Sequence, residues 1–286
     1  MRDFEANSSI ISVAMASFRQ LRRRYRYSII LLKQLVKTDF KLRYQGSTLG
    51  YVWSLLRPLL IFVTLYFVFT IFIGKPKIPH YPVYLLLGIV LWNYFVEVTA
   101  GGVGAIVGRG DLLRKINFPK YVIVLAGSFS ALINLLLNFV VIGIFMVFGH
   151  VELTWRVVLL IPLIAELFIF AIGLAFFLSA LYVKFRDVTY IWEVIVQAGF
   201  YATPILYLLN RPGIPHRAAE LIIVNPMAQI IQDARYSLVT TQSETISQVF
   251  GGDKWIWGIP IALTVVIAAL ASLYFRSRSR FFAEEV

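Results

Sequence analysis

Three acidic side chains lie inside long apolar stretches of the chain, where a charged group is costly. Glu97, Glu166 and Glu193 fall in three different stretches, and Arg57 is the only basic residue inside any stretch. Carboxylates at such positions either relay protons or ions, or face a polar cavity where they accept hydrogen bonds. Because the three residues occupy separate stretches, the sequence favours isolated carboxylates that face a cavity. A relay remains the alternative.

The sequence contains no pattern typical of a catalytic or metal site. Its three histidines, His80, His150 and His216, stand in different connectors without the spacing of metal ligands. The absence of cysteine excludes thiolate ligands, a cysteine nucleophile and disulfides. No G-x-S-x-G nucleophile turn occurs either. We therefore predict no catalytic residue, no metal site and no bound cofactor in this chain.

A phosphate-binding loop is also missing from the sequence. Gly74 and Lys75 are followed by Pro76, and no glycine stands at the upstream position that a P-loop requires. If ATP drives this protein, ATP and Mg²⁺ must bind to another chain.

Aromatic residues make up 15% of the chain, and its tyrosines and tryptophans combine a polar group with an apolar ring. Such side chains suit stacking against sugar rings along a pore. Helix packing and anchoring at the membrane surface are the alternative explanation. The candidates for a substrate pore, including one carboxylate, are Tyr51, Trp53, Tyr66, Trp92, Tyr94, Glu97, Tyr201 and Tyr207.

Six long apolar stretches must position these residues. The chain is 59% hydrophobic and only 15% charged, which does not fit a soluble domain of 286 residues. Each stretch has the length of about 20 residues that a helix needs to cross the apolar core of a bilayer. The sequence thus predicts an all-α, multi-pass membrane protein. Its six spans are 51–73, 83–107, 122–148, 157–183, 188–209 and 255–275.

Basic residues are concentrated on one alternate set of connectors. Residues 1–50, 108–120, 184–187 and 276–286 carry 19 of the 27 Lys and Arg residues, whereas 75–82, 149–156 and 210–254 carry 7. The positive-inside rule then places both termini in the cytoplasm. This orientation explains the net charge of +12 better than binding to nucleic acid does.

The segment 27–46 is too polar to cross a membrane, yet it has a helical pattern. Lys33, Lys37 and Lys41 recur at every fourth residue, and apolar residues, among them Val36 and Phe40, gather on the adjoining face. Such a helix lies in the membrane surface, with its basic side toward anionic headgroups or a cytoplasmic partner. A solvated charged face on a structural helix is the alternative.

Two connectors are also more than simple turns. The basic inner connector 108–120 contains four large apolar residues, which indicates either a short helix against a partner subunit or a tight turn at the interface. The outer connector 210–254 contains two apolar runs, 221–224 and 227–231, that are too short to span. They indicate one or two re-entrant, gate-like helices or a small extracellular cap.

The stretch 35–60, with the sequence LVKTDFKLRYQGSTLGYVWSLLRPLL, resembles the entry segment of permease subunits of type-2 ABC exporters of polysaccharides. This family moves O-antigen, capsular polysaccharide or teichoic acid. The resemblance covers almost the whole chain after about residue 30. Its matching positions are Arg43, Tyr44, Ser47, Leu49, Gly50, Trp53, Pro58, Gly88, Trp92, Lys115, Phe118, Pro119, Arg186, Asp187, Pro204, Ile205, Tyr207, Asn225, Pro226, Arg235 and the tail Phe282, Ala283, Glu284 and Glu285.

The sequence departs from the family pattern at a few positions. Arg109 and Asp111 stand where asparagine is common, and Thr203 replaces a serine before Pro204. A tyrosine, Tyr121, follows Lys120 where the family often has an acidic residue.

The resemblance implies a single permease domain over residues 1–286. It has an interfacial helix at 27–46, spans one to five within 51–209, an outer gate region at 210–254 and span six at 255–275. Two copies would pair and bind two cytoplasmic ATP-binding subunits. The residues that the resemblance assigns to ATPase coupling are Lys37, Lys41, Arg43, Asp111, Arg114, Lys115, Arg186 and Asp187. Those assigned to the gate are Pro204, Asn225, Pro226 and Arg235.

The expected function is therefore export of a lipid-linked polysaccharide or teichoic acid across a bacterial inner or plasma membrane. The partners are membrane lipid, the lipid-linked glycan, a second copy and the ATPase. Export of small hydrophobic molecules is the first alternative, although the short connector 74–82 slightly favours polymers. A membrane enzyme acting on lipid-linked sugars and a secondary transporter are further alternatives.

Overall fold

The structure of the chain, a computed structural model, describes residues 26–42, 46–72, 74, 78–115, 118–209, 213–253 and 255–282. All regular secondary structure within these ranges is helical. Residues 26–42 form α1. The remaining helices are α2 (Val52–Phe67), α3 (Tyr81–Val103), α4 (Gly110–Lys115), α5 (Tyr121–Phe148), α6 (Leu160–Lys184), α7 (Val188–Ala202), α8 (His216–Val224), α9 (Pro226–Leu238), α10 (Ile246–Val249) and α11 (Gly258–Arg278).

In the described part of the chain, five helical segments are long and apolar enough to cross a membrane. They are Val52–Phe72, Tyr81–Val103, Tyr121–Phe148, Trp155–Lys184 and Trp255–Arg278, and they correspond to five of the six apolar stretches. The chain is therefore an all-α, multi-pass membrane protein, as the sequence predicts. The stretch 188–209 differs, because α7 has 15 residues and is followed by turns.

The central helix of the bundle is α3, which is buried along most of its length. It packs against α2, α5, α6, α7 and α9. Small residues allow the backbones to approach closely: a Cβ added to Gly102 would lie 2.6 Å from the Ala175 Cβ, and one added to Gly173 would lie 2.8 Å from the Ala268 Cα. Such small-residue contacts are typical of helix packing in membranes.

Connectors that the sequence places on the same side of the membrane contact one another. At one end, His80 Nδ1 lies 2.9 Å from the Gly149 carbonyl oxygen. At the other end, Arg109 forms an ion pair with Asp39, and Lys120 donates a hydrogen bond to the Ser279 carbonyl. The two alternate sets of connectors therefore lie at opposite ends of the bundle.

The shorter predicted elements are present as helices. The amphipathic pattern at 27–46 corresponds to α1, and residues 43–45, including Arg43, lie outside the described residues. The connector 108–120 contains α4, so it includes a short helix, and the contact of this helix with a partner subunit remains a prediction. The connector 210–254 contains α8 and α9, which meet at Asn225. The Asn225 side chain accepts a hydrogen bond from the Met227 backbone N–H, which caps α9.

Candidate functional site

A polar cavity of about 760 Å³ lies between α2, α3 and α5. These helices belong to three of the membrane-crossing segments, and the side chains that face the cavity are unusually polar for such a location. The polar and aromatic residues of its lining are Trp53, Ser54, Arg57, Asn93, Tyr94, Glu97, Asn134 and Asn138.

Asparagine side chains organise the wall of this polar cavity. Asn134 Nδ2 donates a 2.9 Å hydrogen bond to Glu97 Oε1, which fixes the carboxylate. Asn138 Nδ2 donates to the Asn134 backbone carbonyl at 2.8 Å and to the Ser54 carbonyl at 3.3 Å, which joins α5 to α2. These bonds compensate part of the cost of placing polar groups among apolar helices.

Other polar atoms of the cavity have no partner among the described residues. They are Asn93 Nδ2, Tyr94 Oη and Asn134 Oδ1, and all three are buried. Asn93 Nδ2 can donate, Asn134 Oδ1 can accept and the Tyr94 hydroxyl can do both. Because these atoms expose almost no surface, a movement of the side chains around them would have to bring them into contact with a ligand in the cavity.

Three of the predicted pore residues meet at this cavity, namely Trp53, Tyr94 and Glu97. The sequence interpretation missed the three asparagines beside them. Their signal was available, because Asn134 and Asn138 are four residues apart and lie on one face of an otherwise apolar helix.

The remaining predicted pore aromatics lie elsewhere. Trp92 is buried in the core and contacts Phe95 and Phe200, with ring centroids 5.4 Å and 6.0 Å away. Tyr66 lies beside Tyr81, with 6.1 Å between the centroids. The structure thus places the eight candidate pore residues in several different environments. Their assignment to a pore remains a prediction.

Two further candidates lie near α1 and in the segment after α7. Tyr51 stacks on Phe40 of α1 with 4.7 Å between the ring centroids. Tyr207 donates a 2.9 Å hydrogen bond to the Ala202 carbonyl at the end of α7.

The exposed side of α7 carries a row of polar and aromatic residues. Tyr190, Glu193, Gln197 and Tyr201 are three or four positions apart, so they share one helical face, and all four are exposed. We call this row the α7 polar face. Only Val188 of α7 is buried. An apolar helix that buries so little against its own chain has a surface available to another molecule.

A buried arginine joins α9 to α3 and to the segment that follows α7. Arg235 has no exposed surface, and its guanidinium lies 3.6 Å from the centroid of the Tyr84 ring. It donates hydrogen bonds to the carbonyl oxygens of Tyr84 at 3.0 Å, Pro204 at 2.6 Å and Ile205 at 2.7 Å. Burial lowers the pKa of Arg235, yet an arginine keeps its charge in proteins.

Gly88 makes this arrangement possible. A Cβ at Gly88 would lie only 2.3 Å from Arg235 Nη2. With Tyr84, Pro204 and Ile205, these residues form what we call the Arg235 cluster. Two predicted gate residues, Pro204 and Arg235, are thus in direct contact although they are far apart in sequence.

Comparisons with known proteins agree with this architecture. Residues 30–239 match the model of the ABC-2 type transporter family. The chain is also 31% identical over 271 residues to the O-antigen export system permease protein RfbA of Myxococcus xanthus, which covers 94% of this chain and 99% of that protein. The chain is an ABC-2 type transporter permease. The family predicted from the sequence is therefore confirmed.

Two O-antigen export system permease proteins RfbA of Klebsiella pneumoniae are similar to this ABC-2 permease as well. They are 33% and 30% identical over 208 and 207 residues, and each alignment covers 72% of this chain and 78% of the relative. The polar cavity, the α7 polar face and the Arg235 cluster all lie within residues 30–239, so the family match includes these three features.

The predicted coupling residues of the ABC-2 permease that the structure describes are all exposed. Lys37 and Lys41 are exposed on α1, and Asp111, Arg114 and Lys115 are exposed on α4. The packing of α4 leaves its apolar Leu113 buried beneath this charged side. Arg186 and Asp187 are exposed in the turn between α6 and α7. Their coupling role remains a prediction.

A polar group that the sequence interpretation missed lies inside α9 of the ABC-2 permease. Asp233 is buried and accepts a hydrogen bond from Gln229, and Glu166 of α6 lies within electrostatic reach of it. Burial raises the pKa of Asp233 from 3.8 to about 7, although the hydrogen bond from Gln229 opposes this change. Asp233 therefore titrates near neutral pH.

Proposed function

We propose that this ABC-2 permease is the membrane-spanning subunit of an ATP-driven exporter of a lipid-linked polysaccharide. The observation that carries the proposal is the likeness to an O-antigen export permease over 94% of the chain. O-antigen is the first candidate for the exported polymer. Capsular polysaccharide and teichoic acid share its chemistry of repeated sugars or polyols on a lipid carrier and belong to the same proposal.

The polar cavity supports a cargo rich in hydroxyl groups. Its asparagines, Tyr94 and Glu97 offer both donors and acceptors inside the membrane bundle, and Trp53 offers an apolar ring face. Such a surface exchanges hydrogen bonds with many sugar types in turn, because none of the groups demands one particular partner. This property suits transport of a polymer better than tight binding of one molecule.

The fifth crossing of the membrane would consist of α7 and the turns that follow it. At 1.5 Å per residue, the 15 residues of α7 rise about 22 Å, which is less than the apolar thickness of about 30 Å. Irregular backbone is tolerated at that depth only when protein satisfies its polar groups. Arg235 donates to the Pro204 and Ile205 carbonyls and thereby meets this condition. With this crossing the single domain has six spans.

A second copy of the chain would complete the conduit. The α7 polar face is exposed, and α2 buries only Pro58 and Phe62 along its 16 residues. A homodimer that brings two α7 polar faces together would enclose a polar and aromatic path between apolar helices. Tyr201 is then a residue of the pore, as the sequence predicts.

The energy would come from two ATP-binding subunits at the end of the bundle that contains α4. These subunits, and not the permease, would bind ATP and Mg²⁺ and would contact α1, α4 and residues 184–187. Both termini of the permease then lie in the cytoplasm, in a bacterial inner or plasma membrane. At the opposite end, α8 and α9 would form the gate, with Asn225 and Pro226 at their junction and Pro204 against Arg235.

Reconstitution of the permease with its ATPase tests this function. The purified permease should hydrolyse no ATP by itself, and the complex should hydrolyse ATP and move the lipid-linked glycan across a vesicle membrane. Intrinsic hydrolysis by the permease, or cells that display normal polysaccharide after loss of the chain, would contradict the proposal.

The role of the polar cavity has its own test in cells. Glu97→Gln should lower surface polysaccharide at unchanged permease level, because the amide carries no charge and replaces one carboxylate oxygen, an acceptor, by an NH2 donor. Glu152→Gln is the matched control, since Glu152 is an exposed carboxylate in an outer connector. Equal export by the two variants would show that the carboxylate of the polar cavity is not needed for transport.

Cysteine cross-linking tests the homodimer, and the chain offers a clean background because it contains no cysteine. Gln197→Cys on the α7 polar face should form a disulfide-linked dimer under oxidation. Val140→Cys, which is 63% exposed on α5, should stay monomeric. Dimers from Val140→Cys alone would place the interface elsewhere.

A further inference from the structure

A groove of about 730 Å³ runs between α1 and α5, on a different side of α5 from the polar cavity. Its lining is mostly apolar, and its charged residues are all basic. The residues that line this α1–α5 groove are Leu32, Lys33, Val36, Lys37, Phe40, Lys41, Tyr51, Phe129, Leu132, Ile133 and Leu136.

The amphipathic pattern of α1 separates the lysines from the one acidic residue in the described part of this helix. Lys33, Lys37 and Lys41 are exposed and lie on one face, which we call the lysine row. Asp39 points to another side, where it pairs with Arg109. Among the described residues that line the α1–α5 groove there is no carboxylate to neutralise the lysine row.

The other wall of the groove belongs to a membrane-crossing helix. Phe129, Ile133 and Leu136 are exposed by 36%, 37% and 53% on α5, which is one of the membrane-crossing helices. They lie about 12–22 Å along this helix from its first residue, at 1.5 Å per residue. In a bilayer, such exposed apolar side chains of a membrane-crossing helix face acyl chains and not a soluble subunit.

We propose that the α1–α5 groove is a binding site for an anionic phospholipid of the surrounding bilayer. One acyl chain lies along Phe129, Ile133 and Leu136, and the headgroup phosphate contacts the lysine row. Charge complementarity selects an anionic headgroup, because three cations face the groove without an acid. A zwitterionic lipid fits the same apolar wall but gains little from the lysines. The site is independent of the exported substrate.

Native mass spectrometry of the full-length permease in detergent tests this site, with phosphatidylglycerol and phosphatidylcholine of identical acyl chains as probes. The wild type should retain phosphatidylglycerol in preference. Each lysine near an anionic surface contributes roughly a fivefold preference. The triple variant Lys33→Gln, Lys37→Gln and Lys41→Gln should therefore lose most of the discrimination, by up to about a hundredfold.

Two matched controls distinguish a site from general attraction. The variant Arg276→Gln, Arg278→Gln and Arg280→Gln removes the same charge from exposed positions at the end of α11 and should keep the preference. Ile133→Trp fills the groove and should weaken retention of both lipids, whereas Val140→Trp, further along α5 and outside the groove, should not.

Several outcomes overturn the proposal. Equal retention of the two lipids by the wild type would remove the anionic site. Equal losses in the lysine and arginine variants would reduce it to non-specific attraction. Loss of ATPase-subunit binding without loss of phosphatidylglycerol would make the lysine row a protein-docking surface. Displacement of phosphatidylglycerol by a trace of polyprenyl pyrophosphate would instead identify the groove as a substrate site.

Discussion

From their compositions, α7 would be expected to be the buried helix and α9 the exposed one, but the structure shows the reverse. The helix α9 contains Gln229, Gln232, Asp233, Arg235 and Ser237, yet all five are buried. The helix α7 is more apolar, and only its first residue is buried. In a membrane protein, burial follows the availability of hydrogen-bond partners and packing partners, since lipid is as apolar as the protein interior. A polar helix belongs inside, and an exposed helix face is available to lipid or to a second copy.

The largest effect should come from removing the charge that holds α9 in place. Arg235→Met leaves the carbonyl oxygens of Tyr84, Pro204 and Ile205 without their donor in a buried location. Each buried acceptor left without its donor costs about 1–3 kcal/mol. Thermal aggregation of the purified permease in detergent should therefore begin at a much lower temperature. Arg278→Met, at an exposed position of α11, is the control, and equal midpoints for both variants would refute the role of Arg235.

Asp233 should give α9 a dependence on pH. Because burial raises its pKa from 3.8 to about 7, the folded protein binds a proton that the unfolded chain releases between these values. Stability should then fall as the pH rises from about 4 to about 7 and stay constant above.

The fall in stability from the titration of Asp233 amounts to at most about 4 kcal/mol. Asp233→Asn should make the midpoint of thermal unfolding less dependent on pH between 5 and 8. A wild type that is most stable at pH 8 would contradict this sign.

Gly88 tests how closely α9 must approach α3. Gly88→Ala places a methyl group 2.3 Å from Arg235 Nη2, so the guanidinium must move. Overpacking of this kind costs about 1–3 kcal/mol. Gly101→Ala lies on the same helix with nothing within 4 Å of the added methyl and should not lower the midpoint. Equal unfolding midpoints for the two variants would show that the close approach of Arg235 to Gly88 does not matter for stability.

The smallest effect on stability should come from a substitution in α7, which tests the difference in burial between α7 and α9 directly. Gln197→Ala removes an exposed side chain and should change the free energy of unfolding by less than about 0.5 kcal/mol, while export falls. The same substitution in α9, Gln229→Ala, removes a buried donor to Asp233 and should cost about 1–3 kcal/mol. The thermal midpoint and the amount of surface polysaccharide should be measured for both variants. Together they distinguish a loss of packing from a loss of transport.

Much of the fold was predictable from the sequence because its signals are long and periodic. Five apolar stretches became long helices, and the lysine spacing located α1. The break after Ala202 was visible in Pro204, since proline interrupts a helix, but hydropathy alone extended the span to residue 209.

The candidate site was harder to predict, because a sequence does not fix the rotation of a helix about its axis. Gly88, Pro204 and Arg235 each match the family pattern, yet only the structure shows that they touch. For the same reason the sequence did not show that Trp92, a predicted pore residue, packs in the core.

The contact between Lys120 and Ser279 also has a mechanical consequence. Lys120 stands between α4 and α5, and its ammonium group reaches the chain just beyond α11. Phe282, only 1% exposed, reinforces this link by packing against Phe275 of α11. Movement of Lys120 would therefore act on the start of α5 and on the end of α11, which packs along α6. The contact thus joins two membrane-crossing helices that are far apart in sequence.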